Sequence, residues 1–162
     1  MKELGKSFVY AFKGIAYCIK NERNMRIHSV FAVYMFSYLL IYDFFEITRT
    51  QFAVLAMATG AVFAAEAINT AVENAVDLME TKYNKFCKAA KDAAAGAVLI
   101  LAITSVAVGI IIMYQPEAFK KLFEYYRQKP LMLAVLILSV ALSCVYIFGI
   151  KPDKKEQKGD LK

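Results

Sequence analysis

Four long apolar stretches, residues 27–45, 52–79, 93–114 and 131–150, alternate with short polar segments along this chain. A helix of about 20 apolar residues crosses the hydrocarbon core of a bilayer, so each stretch predicts a membrane span. The second is longer than a bilayer needs, and its last turns are expected among the headgroups. Ahead of them, Leu4, Phe8, Ala11, Phe12, Ile15, Ala16 and Ile19 recur at helical spacing, while Lys6, Lys13 and Lys20 recur every seven residues on another face. That pattern predicts an amphipathic helix lying in the interface, lysines toward anionic headgroups. Between the third and fourth stretches, Phe119, Leu122, Phe123 and Tyr126 repeat the helical spacing and predict a second surface helix.

Composition sharpens this picture. The 162 residues are 59% hydrophobic and lack Trp, too apolar for an ordinary soluble domain of this size. The first twenty residues are amphipathic, unlike the basic tip and short apolar core of a signal peptide. Cys18, Cys87 and Cys144 are scattered, with no paired spacing, which argues against a disulfide framework or structural zinc and makes them packing residues. The formal charge of +6 reflects cytoplasmic loops rather than nucleic-acid binding. Lysines and arginines cluster before the first span, in the loop after the second (Lys82, Lys85, Lys88, Lys91) and in the tail, whereas Arg49 stands alone in the first loop. By the positive-inside rule the N-terminus, second loop and tail face the cytoplasm of a cell-membrane protein. Lys120, Lys121, Arg127 and Lys129 in the third loop run against that rule.

One interruption of the apolar pattern carries the chemistry. Glu66, Asn69, Thr70, Glu73 and Asp77 lie inside the second span. At about 100° per residue, Glu66, Asn69, Glu73 and Asp77 fall within roughly 80° of one another, as one acidic stripe. A carboxylate at bilayer depth is unfavourable by several kcal/mol, about 2.5 or more on the mildest scales, and must face protein, water or a cation. Three on one stripe repel unless something positive lies between them; a divalent metal with a bridged anionic ligand is the economical candidate. At about 1.5 Å per residue, Glu66 lies roughly 16 Å deeper than Asp77. A soluble anion can therefore enter at one end and a lipid headgroup meet the other.

Lys91 and Asp92 open the third span. Asp92 is expected to cap that helix, and Lys91 either snorkels or meets phosphate at a helix start beside the carboxylates. The small residues Ala93 to Ala97 allow close helix approach, which would bring Glu73 and Lys91 together. Glu22, in the polar segment before the first span, would pair with Glu73 as hard oxygen ligands for magnesium. His28, alone of its kind, reads as a packed interfacial residue. Asp43 and Glu46 read as boundary markers.

Glu66-x-x-Asn69-Thr70-Ala71-x-Glu73-x-x-x-Asp77, followed by Lys91-Asp92-x-Ala94-Ala95-Gly96-Ala97-Val98, resembles the signature of the small prokaryotic diacylglycerol kinase family. The upstream Glu22-Arg23-Asn24-x-Arg26-Ile27-His28 is similar to its Gram-positive branch, associated with undecaprenol kinase. The resemblance covers roughly residues 7–113. It implies a homotrimer with a surface helix and three core spans per subunit, active sites shared between subunits, and ATP-dependent phosphorylation of a lipid alcohol. It implies Glu66 as general base, Glu22 and Glu73 as magnesium ligands, and Tyr10, Asn69, Asp77, Lys82, Tyr83, Asn84, Lys91 and Asp92 at the nucleotide. Arg26 and Ala95 are expected at the lipid substrate. Ala95 stands where the classical diacylglycerol kinase has serine, which favours the undecaprenol branch.

The expected architecture is an all-α integral membrane protein. Residues 1–114 form the lipid kinase core, residues 115–150 a linker and additional transmembrane helix, and residues 151–162 a charged tail. The chain has neither a Walker A loop nor the protein-kinase motif set. The expected partners are ATP, a membrane lipid alcohol and the bilayer, not nucleic acid. Undecaprenol kinase, diacylglycerol kinase and a small ion or proton conduit compete as functions, with a structural partner subunit behind them. The stripe ends at Lys91-Asp92, and the span before Glu66 offers only Thr59 as a polar side chain, which weighs against the conduit.

Overall fold

A computed structural model describes residues 2–79 and 84–150. Among the described residues the chain forms six helices: α1 (Lys2–Asn21), α2 (Arg23–Ile41), α3 (Arg49–Met79), α4 (Lys85–Met113), α5 (Pro116–Gln128) and α6 (Pro130–Gly149). Three of these, α3, α4 and α6, are long and apolar enough to cross a membrane, as befits an integral membrane protein. The predicted span 27–45 corresponds to α2, which begins earlier and ends at Ile41. It is not among the three, because Arg23, Asn24, Arg26, His28 and its serines and tyrosines dilute its apolar character.

The core is the antiparallel α3–α4 pair. On α3, Leu55, Val62, Asn69 and Val76 are buried, and on α4, Val98 and Ile112. These positions recur every seven residues or a multiple of it, the spacing that keeps one seam facing a partner helix. Ser105, midway between Val98 and Ile112, donates its hydroxyl to the Ala58 carbonyl at 2.9 Å and ties the seam at mid-depth. Local chemistry sets the helix ends. Thr48 and Gln51 form a reciprocal capping box before α3: the Gln51 N–H donates to Thr48 Oγ1 at 3.2 Å and the Thr48 N–H to Gln51 Oε1 at 2.8 Å. Asn84 caps α4, its Oδ1 accepting from the Phe86 N–H at 2.9 Å. The cap expected at Asp92 is therefore misplaced, because the helix starts about two turns earlier and Asp92 lies inside it.

The helix at the third loop is present as α5, strongly amphipathic and opened by Pro116 at its first turn. Gln115 clasps the far end of the molecule, its side-chain amide exchanging two 3.0 Å hydrogen bonds with the Glu46 backbone. Tyr42 and Phe44 stack, with Tyr125 edge-on to both. From there α6 returns antiparallel along α2. Tyr34 shares hydrogen bonds with Ser139 at 2.8 Å and Ser143 at 3.4 Å, and Tyr38 with Tyr126 at 2.7 Å. Burial and that bond push the Tyr126 phenol above its ordinary range.

Candidate active site

The acidic stripe runs down α3 and changes character along its length. Its deep end, Glu66, is 2% exposed, and Asn69 and Thr70 are buried beside it. Thr70 donates its hydroxyl back to the Glu66 carbonyl at 3.0 Å. Asn69 Nδ2 donates to Glu73 Oε1 at 2.9 Å, one turn on. At the shallow end Asp77 forms an ion pair with Lys91 of α4. Lys91 thus meets Asp77, one turn beyond Glu73 on α3, because the antiparallel register pairs the last turns of α3 with the second turn of α4.

α2 supplies the wall opposite Glu66. His28 Nε2 lies 3.3 Å from Glu66 Oε1, without the alignment of a hydrogen bond, so that buried oxygen has no hydrogen-bond partner, and neither has Asn69 Oδ1. Buried polar atoms are nearly always satisfied, and leaving one unpaired is unfavourable by about 1–3 kcal/mol. Two such acceptors side by side on a membrane helix mark a place where a donor or cation belongs. His28 also lines a cavity of about 370 Å³ between α2, α3 and α4, otherwise walled mainly by apolar residues such as Phe31, Leu55 and Val106.

α1 closes the third side. Cys18 is buried. Burial raises its thiol pKa most, a hydrogen bond with Thr70 opposes the shift, and the nearby Glu22 and Glu66 carboxylates raise it further. These neighbours put the end of α1, Glu22 at the N-cap of α2 and the deep end of the stripe in one region. Among the described residues no three His, Cys, Asp or Glu side chains already converge on a metal position. Magnesium asks for less, usually one or two carboxylates with the remaining ligands from phosphate and water. Glu22 and Glu73 carry hard carboxylate oxygens of the kind that requirement names, and Glu73 lies against Asn69.

The other expected residues are spread around this centre. Tyr10 is exposed on α1, Asp92 and Ala95 are exposed on α4, and Asn84 sits at the α4 N-cap. Lys82 and Tyr83 lie outside the described residues. Arg26, expected at the lipid, is 1% exposed, and its guanidinium is held by four backbone carbonyls of α1 and of the end of α6. His28, read along the chain as a packed interfacial residue, stands against Glu66. Its signal was an ionisable group inside an apolar stretch, which by default points to function. The polar path does not continue past Glu66 on α3, since Thr59 donates its hydroxyl to its own helix at the Leu55 carbonyl.

Residues 9–113 match the family described as prokaryotic diacylglycerol kinase. The chain is 39% identical over 108 residues to an undecaprenol kinase of Bacillus subtilis, a match covering 66% of this chain and 85% of that protein. It is 38% identical over 111 residues to a diacylglycerol kinase of Synechocystis, covering 68% of this chain and 62% of that one. No solved structure is significantly similar to the chain.

Proposed function

This chain belongs to the prokaryotic diacylglycerol kinase family and is a membrane lipid kinase; from that premise we propose that it phosphorylates undecaprenol with ATP. The observation that carries the reading is the Glu66 carboxylate, buried in a helix long and apolar enough to cross a membrane, with an oxygen that makes no hydrogen bond, on the same helix stripe as the Asp77–Lys91 pair at the polar end. A lipid hydroxyl arriving from the bilayer supplies the missing hydrogen bond and is then the proton donor to Glu66. Base catalysis by a positioned side chain contributes about 10²–10⁴-fold. Such phosphoryl transfer otherwise depends on positioning and charge neutralisation.

The chain's own residues divide that work. Glu66 takes the hydroxyl proton as the lipid oxygen attacks the γ-phosphorus in line and the bond to ADP breaks. His28, 3.3 Å away, orients the carboxylate. Lys91 releases Asp77 to neutralise the γ-phosphoryl charge. Asn69, Asp77, Asn84 and Asp92, with Tyr10, Lys82 and Tyr83, surround the nucleotide, and Ala95 borders the lipid headgroup. Glu22 and Glu73 would hold magnesium, which would supply charge neutralisation for the nucleotide phosphates. Arg26 is left out of the substrate set because its donors are engaged by backbone carbonyls.

In this reading α2 is a fourth span, the N-terminus faces the cytosol, and the protein sits in the plasma membrane. A homotrimer fits the apolar residues that α4 leaves exposed, such as Ile100, Ile103 and Ile110. Diacylglycerol is the second substrate to consider, because the Synechocystis relative carries that name. Purified protein given labelled ATP and equal amounts of both alcohols should label undecaprenol first on thin-layer chromatography. Preferential labelling of diacylglycerol would reverse the assignment, and labelling of neither would remove the lipid-alcohol reading.

A further inference from the structure

Arg26 and Glu66 are the largest fully buried side chains among the described residues, and the reaction above uses only one of them. Among the described residues Arg26 has no carboxylate partner. Its Nη1 donates to the Lys20 carbonyl at 2.8 Å and the Ile19 carbonyl at 3.3 Å, at the end of α1. Its Nε donates to the Ile147 carbonyl at 3.2 Å and its Nη2 to the Ile150 carbonyl at 3.3 Å, at the end of α6. The last carbonyls of a helix lack intrahelical donors, and helix C-termini carry partial negative charge. Two helix ends therefore converge on one guanidinium, taking the place an acidic side chain would fill. Arg26 is also one turn from Glu22, whose carbonyl accepts from the Arg26 N–H at 3.3 Å. α6 lies wholly beyond the family-matched residues 9–113, so this clamp ties an added helix to a corner of the kinase core.

We propose that α6 braces the active-site corner: its C-terminal carbonyls fix Arg26, and Arg26 fixes the α1–α2 corner that carries Glu22. Arg26 is thus a positioning residue, and the extension sets how readily the kinase takes up magnesium with ATP. The proposal rests on the assignment of Glu22 as a metal ligand. Groups that orient metal ligands typically matter by about 10–100-fold in affinity or activity, and the lower end is expected here because the clamp acts through backbone.

The test uses the full chain in lipid nanodiscs. Ser139→Leu with Ser143→Leu places bulk under Tyr34 and lifts α6 without touching Arg26. This variant should raise the magnesium concentration for half-maximal activity about tenfold, leave the KM for the lipid within about twofold, and speed amide exchange over residues 19–26. Arg26→Gln should do the same, Arg26→Lys should restore part of the effect, and combining Arg26→Gln with the serine pair should add little, since both break one clamp. Tyr34→Phe is the milder variant should the pair fail to fold, with a shift in the same direction. Wild-type magnesium dependence in the α6 variants while Glu22→Gln shifts it would overturn the brace alone. An unchanged magnesium requirement in Glu22→Gln would instead remove the metal-ligand assignment on which the brace depends. Fully additive effects of Arg26→Gln and the serine pair would show two separate defects and also overturn it.

Discussion

α3 and α6 both run antiparallel along α2, yet their polar groups obey opposite chemistries. α3 buries charge and amide at its centre, Glu66 and Asn69, and leaves acceptors unsatisfied there. α6 carries no Asp, Glu, Lys, Arg or His, and its serine hydroxyls are paired with Tyr34. Interhelical hydroxyl bonds in membranes are modest, about 0.6 kcal/mol on average, and they fasten a helix without straining it. A buried carboxylate with a free acceptor is an unfavourable arrangement retained where a ligand completes it. The serines of α6 are satisfied where the helix is attached, whereas α3 leaves buried acceptors open where the reaction is proposed.

The comparison can be broken at several points. The largest effect is expected from Glu66→Gln, which keeps shape but removes the proposed base: lipid phosphorylation should fall about 10²–10⁴-fold, with ATP binding by calorimetry nearly intact. Turnover near wild type would take away the base. Lys91→Met should follow at about 10²–10³-fold in kcat, the scale for losing one donor to developing charge, with unchanged helical content by circular dichroism. A variant that loses ATP affinity but keeps kcat would make Lys91 a binding residue only. Glu22→Gln and Glu73→Gln should each raise the magnesium requirement about tenfold or more, read from metal titrations at saturating ATP; identical curves for all three proteins would exclude both as ligands. Tyr34→Phe should be smallest, lowering stability by about 0.6 kcal/mol in a denaturant titration and leaving kcat at saturating magnesium unchanged. If it instead abolished turnover, the α6 contact would be part of the chemistry and the contrast would fail.

Much of this was legible in the residue pattern because it is governed by short-range periodicity. The apolar lengths announced α3, α4 and α6, and the spacing of Phe119, Leu122, Phe123 and Tyr126 announced α5. The stripe from Glu66 to Asp77 was visible from a 100° rotation alone. Helix ends were less visible: α4 begins at Lys85 because a distant apolar run hides a cap as ordinary as Asn84. That Lys91 pairs with Asp77 was not visible along the chain, because register between two helices depends on how their seams interlock. His28 could be flagged as unusual, but nothing local to α2 says that it faces Glu66.

The sequence by itself determined the helices, their membrane character and the acidic face of α3, since these follow from hydropathy and the helical period of single segments. Only the tertiary structure decided that His28 meets Glu66, that Lys91 meets Asp77, and that Arg26 gathers the ends of α1 and α6. The reason is physical: backbone carbonyls at helix ends leave no trace in side-chain chemistry, so a cation bound by them looks, along the chain, like any other arginine beside a membrane span.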